Sequence, residues 1–478
     1  MQINVTLFPN PISVEMTGPF AYFTSLCLSV ALLSGHFKCM AQTNFKEVQL
    51  THDNGGHTLH NTQCFSKDDQ WLVFDTRNQD DQIISTSSIR MVHVHNGTIK
   101  TLYQTQQPTP YGPGVGAATF SPVADTVLFI HGISNADQQQ PYGITRRSGV
   151  AIAVKNPFHP VHMDARDIDP PFTQGALRGG THAHTWSGDG QWISFTYNDF
   201  LLEQPDRPDT AIHDLRTVGI MVPGQKVTVP NADAIENFSG ERFTVLVTKV
   251  TDHPLPGSDE INKAFDECWI GTAGYKKANG VPQKRAIAFQ GNVLDKKGNS
   301  KTEVFVADLP ENITRALPGL PLAGTPGTRP NVPEGIVQRR ITFTQHGIQG
   351  PRHWLRSTPD GALIGFLAKD SNQIVQIFAV SPNGGTIRQI TFGKMPVEGP
   401  FNFSPDGNWV AYLAGNNVHI HQVFTRKTQQ LTNYPANGNK ATGGVVWAHN
   451  GQSLAYNRYV KTGTAAFLQI FLLEAVSR

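Results

Sequence analysis

RGGTHAHTWSGDGQWISFTYND, residues 178–199, sets His182 and His184 one residue apart ahead of a Gly-Asp-Gly turn. Neutral imidazole is a ligand for divalent transition metals. Residues i and i+2 of a strand share a face, so both rings can meet one ion. His353, in PRHWLR, offers a third nitrogen. The expected metal set is therefore His182, His184 and His353, around a divalent ion such as Mn, Zn, Fe or Ca. Arg178 and Arg352 lie beside these histidines in the chain and can fork onto a carboxylate or phosphate. His60, in HDNGGHTLHN, is the candidate general base, since imidazole titrates near neutrality.

Such distant residues meet only if a repeated element carries them. Six segments share one pattern: CFSKDDQWLVF (64–74), TFSPVADTVLF (119–129), TWSGDGQWISF (185–195), STPDGALIGF (357–366), NFSPDGNWVAY (402–412) and VWAHNGQSLAY (446–456). Each is a strand end, a Ser/Thr-x-Asp-Gly-like turn and an apolar strand. Third and fourth strands follow several copies, as in IVQIFAVSP and RQIT. Four antiparallel strands per repeat specify an all-β protein, a β-propeller. Six clear copies plus a degenerate one between 200 and 350 predict seven blades, with six or eight as alternatives. That degenerate blade draws on 243–250, 285–293, 302–309 and 339–344. FKEVQLT, near the mature N-terminus, supplies the fourth strand that FLQIFLLEA lacks at the end of the chain. SDEINKAFDECW reads as a helical insertion near 258–269, with Ile261, Ala264, Phe265 and Cys268 at i, i+3, i+4 and i+7.

The first strand of each blade lines the central channel. Aligned on the turn, His182, His353 and Asn61 enter at one level, and His184 and Gln63 at another. Arg77 and Asp199, near the ends of second strands, join the rim. Asn61, Gln63, Arg77 and Asp199 are thus the expected ligand-binding groups. HVHN (93–96) and HIHQ (419–422) have the same spacing but fall on third strands, away from the channel.

The 478 residues carry 39 basic and 37 acidic side chains, a net charge of +2, with no dense basic tract. An electrostatic nucleic-acid footprint is therefore not expected. Residues 20–33, FAYFTSLCLSVALL, match a signal-peptide core, and cleavage after Ala41 leaves 42–478 as one propeller domain. A basic start is missing. The expected location is periplasmic or secreted, or cytoplasmic if the leader does not function. Beyond residue 42 nothing is apolar enough to span a membrane. Cys64 and Cys268 remain in the mature chain and are expected as buried thiols, with one bridge as the alternative. No GxSxG elbow or P-loop is present, which excludes an appended serine peptidase.

FSPDGNWVAYLA with RQIT resembles the TolB-type propeller repeat. LRGGTHAHTWSGDGQWISFTYND, PGSDEINKAFDECWIG, GIVQRRITFT and PRHWLR resemble the bacterial YidR-like family over residues 45–478. That resemblance implies a propeller without an assigned reaction. HTLHNTQCFSKDD and THAHTWSGDG are similar, more distantly, to oligogalacturonate lyase, a propeller that holds a divalent metal with channel histidines. Here Ala183 stands where that family has its base, and GGVVWAHNG lacks its last-blade HxH. The expectation is a channel site for a small anionic ligand or oligosaccharide. Its catalytic form is a metal-dependent lyase on uronide-type oligosaccharides, with Arg178 or Arg352 neutralising the carboxylate. The competing class is a non-catalytic scaffold with a protein partner.

Overall fold

Ser66, Ser187, Thr358 and Ser404 each donate a hydroxyl proton to the aspartate two residues on, and in each turn the chain then reverses into an apolar strand. In the Ser187 turn Asp189 accepts the Gln191 N–H at 3.0 Å, and Ser187 Oγ accepts the Trp192 N–H at 2.9 Å. The left-handed residue is Gly190, Gly361 or Gly407, with φ of +65°, +70° and +71°. In the first repeat Asp69 takes it, at +58°. This side-chain closure of the turn is why the repeat is readable in sequence.

The computed structural model describes residues 44–476 except 204–207, 209–210 and 234. The leader expected over 1–41 lies outside these residues. The turns join the inner and second strands of seven four-stranded antiparallel blades. Blade 1 has strands Trp71–Asp75, Ser88–His93 and Ile99–Gln104, and residues 58–65 complete it through the bridges Thr58 to Asp75 and Phe65 to Leu72. The inner strands of blades 2 to 7 begin the sheets at Val115–Phe120, Gly179–Trp186, Ala264–Trp269, Arg356–Ser357, Asn402–Phe403 and Ala441–Trp447. Asn44–Gln49 pairs antiparallel with Ala465–Val476 and forms the outer strand of blade 7, as FKEVQLT predicts.

Apolar layers fill the spaces between blades. Val73 and Met91 of blade 1 pack with Phe129 of blade 2, while Leu128 points the other way, to Trp186 and Phe195 of blade 3. Alternate residues of one strand thus serve two neighbours, and both faces of the strand are apolar. Each fully buried Phe or Leu contributes about 1.5–3 kcal/mol. Phe74 of blade 1 meets Val446 and Leu472 of blade 7, which closes the ring. Cys64 and Cys268 are both buried and unbridged.

Two expectations are corrected. Residues 264–269 are the inner strand of blade 4, not a helix. A β-bulge between Phe265 and Cys268, with Asp266 at φ +49°, adds one residue to the strand. An extra residue turns spacings of two into three, which is what a helical pattern shows. Residues 243–246 are the outer strand of blade 3, not part of blade 4. No helix among the described residues is long and apolar enough to cross a membrane.

Candidate functional site

The inner strands carry a second recurring bulge that decides where the histidines point. Ladder register shifts between His182 and Thr185, between Gly116 and Thr119, and between Thr442 and Val446. Ala183, Ala117 and Gly443 there have φ of +57°, +53° and +78°. With a left-handed residue between them, His182 and His184 no longer share a face. His182 lines a cavity of about 330 Å³ at one mouth of the channel. His184 turns into the blade 2–3 interface, where a Cβ on Gly149 would sit 2.7 Å from its Nε2. Its Nε2–H donates to Thr181 Oγ1 at 3.0 Å, because the Thr181 hydroxyl proton is committed to Asp164 at 2.8 Å.

His353 is also committed. Its Nδ1–H donates to the Pro351 carbonyl at 2.9 Å, and its Nε2 accepts the Leu367 N–H at 3.1 Å. No lone pair is left for an ion. The expected three-histidine centre is therefore not assembled, and no group of three His, Cys, Asp or Glu among the described residues is arranged to hold a metal.

Of the other expected residues, His60, Asn61, Arg77 and Arg352 line the same cavity as His182. Arg77 is already neutralised: it holds Asp75 with both fork arms, Nε to Oδ1 at 2.7 Å and Nη2 to Oδ2 at 2.8 Å, and reaches Asp80 with Nη1. Asn61 closes the cavity floor. Its side-chain oxygen accepts from Arg356, and its backbone carbonyl accepts from Asn402 at 2.9 Å. Gln63 lies beyond that floor and exchanges hydrogen bonds with the Trp186 backbone, 2.8 and 3.0 Å. Together these contacts divide the channel into two separate mouths.

Arg178 and Asp199 stand outside the cavity. They pair at 2.8 Å, both buried, and Arg178 gives its other nitrogens to the carbonyls of Thr325 and Thr328. Arg178 thus clamps the proline-rich loop and is not available to a substrate carboxylate.

Sequence reasoning missed Arg147, Trp354 and Tyr459, which also line the cavity. Arg147 begins the third strand of blade 2, and only first and second strands were expected to reach the rim. It is 7% exposed and donates to the Tyr142 hydroxyl at 3.0 Å. No carboxylate pairs with it among the described residues. Arg352 is half-exposed, 3.6 Å from Asp266 and stacked 4.5 Å from the Trp354 ring centre. Glu398, Thr442 and Asn457 line the cavity as well.

Burial, then the charges of Arg147, Arg216 and Arg352, hold the His182 imidazolium well below its ordinary range. Burial and then Arg356, Arg77 and Arg352 push His60 down to about 3. Both rings are neutral at pH 7. The folded state therefore takes up fewer protons than the unfolded chain below pH 6.5, and stability falls as the medium is acidified through that range. The His182 Nδ1 has no hydrogen-bond partner, so His182→Gln is expected to flatten this slope by up to about 1.4 kcal/mol per pH unit. Urea titrations at several pH values between neutrality and mild acid measure it. An unchanged slope contradicts the neutral assignment.

A family model described as a protein of unknown function (DUF3748) matches residues 114–236. The uncharacterized protein YidR of Escherichia coli (strain K12) is 37% identical over 415 residues, covering 85% of this chain and 94% of that one. Among solved structures, oligogalacturonate lyase in complex with manganese overlays with a TM-score of 0.47 at 9% identity, covering 91% of this chain and 95% of the lyase. TolB from Acinetobacter baumannii overlays at 0.36 with 13% identity, covering 85% and 80%. No residue role is carried over from either.

Proposed function

The chain belongs to the YidR family, and from that footing we propose that its channel-mouth cavity binds an acidic saccharide of the uronide type. The observation that carries this reading is Arg147, buried without a carboxylate partner, in one wall with Arg352 and the neutral His182. A ligand carboxylate supplies the missing counter-charge. Glu398, Thr442, Asn457 and Tyr459 elsewhere in the wall suit hydroxyl groups.

Binding is favoured over turnover. An imidazole whose conjugate acid titrates near 3, as at His60, is a weak base for carbon acids. The metal-assisted lyase fails the donor test, since of its three histidines only His182 reaches the cavity, so no step is routed through a metal. The apolar run 20–33 supports export of the mature 42–478 domain to the periplasm, which fractionation of cells expressing the whole chain checks.

Calorimetric titration with galacturonate oligomers tests the site. Galacturonate oligomers are expected to bind at least about tenfold more tightly than uncharged galactose oligomers, and Arg352→Ala or Arg147→Ala to lose about tenfold, or 1.4 kcal/mol. No unsaturated uronate product should accumulate in the ultraviolet. Equal affinity for neutral and acidic sugars sinks the reading. Capture of a protein partner that survives both substitutions favours the scaffold class instead.

A further inference from the structure

The other mouth of the channel holds a cavity of about 450 Å³ with a different chemistry. Arg356 sits at its floor, 8% exposed. Four of its five N–H donors are taken by neutral groups: Nε by Asn402 Oδ1, Nη1 by the Leu355 carbonyl, and Nη2 by the backbone and side-chain oxygens of Asn61. No carboxylate lies within ion-pair distance among the described residues. A buried guanidinium without a counter-charge is costly, which marks the place where an anion belongs.

Glu267 is the carboxyl group in the same wall, and it does not fill that role. It accepts the Thr196 hydroxyl at 2.9 Å, its Oε1 has no partner, and burial pushes its acid up to about 7. Phe65, Trp186, Trp269, Phe403 and Trp447 give the remaining wall its apolar surface, between Ser, Thr, Pro and Gly positions. Ligand cavities combine an apolar surround with a few placed polar groups in this way.

We propose that this second mouth binds a small aromatic monocarboxylate, its carboxylate against Arg356 and its ring among the aromatic side chains. The site is independent of the acidic-saccharide cavity, because the Arg356–Asn61–Asn402 layer separates the two.

Titration of the whole mature chain with phenylacetate and with its uncharged analogue phenylacetamide tests the proposal. Phenylacetate is expected to bind one-to-one and about tenfold more tightly than the amide, and Arg356→Lys to lose about tenfold as the fork is removed. Glu267→Gln, which keeps shape and removes a repelling charge, is expected to tighten phenylacetate about threefold at about pH 8, above the Glu267 value. Arg352→Ala should leave these affinities unchanged. The proposal is overturned if acid and amide bind alike, if folded protein fails to bind the acid below about 5 mM, if Glu267→Gln weakens binding, or if Arg352→Ala abolishes it. Should Arg356→Lys not fold, the acid-to-amide ratio and Glu267→Gln still decide.

Discussion

Asp75→Ala is expected to destabilise the propeller by about 3–5 kcal/mol, the usual cost of removing one partner from a buried ion pair. Asp75 is fully buried and accepts four N–H groups: three from Arg77 (backbone, Nε and Nη2) and the backbone N–H of Ala117 in blade 2. Its loss strands the 6%-exposed Arg77 with the single exposed carboxylate of Asp80, and leaves the Ala117 amide unpaired beside the bulge. Urea denaturation followed by tryptophan fluorescence measures the change. Replacing both members, Asp75→Leu with Arg77→Leu, is expected to recover part of the loss, since no lone charge remains buried. A single variant within about 1 kcal/mol of wild type contradicts the assignment of Arg77 as a neutralised structural cation.

Arg178→Met is expected to cost about 3 kcal/mol or more by the same mechanism, and to release a loop as well. The substitution leaves the Asp199 carboxylate buried with the Tyr197 hydroxyl at 3.2 Å and the Leu201 and Leu202 amides, but with no cation. It also frees the carbonyls of Thr325 and Thr328. Limited trypsin digestion should then cut faster at Arg315, already exposed beside that loop and followed by Ala316. Resistance equal to wild type at Arg315, with unchanged stability, shows that Arg178 is not the clamp. Saccharide affinity provides the contrast: Arg352→Ala lowers it, whereas Arg178→Met does so only as far as folding is lost.

The blades were legible because their turns are made by side chains. Ser-x-Asp-Gly closes on itself whatever surrounds it, so six repeats and the N-terminal closing strand could be placed from residues alone. Blade 4 was harder because its inner strand carries a bulge at Asp266, and a period-two reading cannot see an inserted residue. The same limit misplaced His184. Ala183 adopts a left-handed backbone that no glycine announces, so side chains expected on one face point to two. Asn61 and His182 line one cavity at the height that the alignment gives them, and His60 and Arg352, next to aligned positions, join them with Arg77 from the rim. Whether each was free or already partnered was not in the pattern: Arg77 is satisfied by Asp75 and Asp80 close by in the chain, His353 by the backbone of Pro351 and Leu367, and Arg147 arrived from a strand outside the alignment.

Asn44–Gln49 lies hydrogen-bonded along the last strand of the chain, and Tyr434 and Tyr456 both donate to Glu47. A polypeptide truncated before Ala465 offers Asn44–Gln49 no strand on which to dock. The other six sheets can still stack, but they form an unlatched arc with a sticky edge at each end.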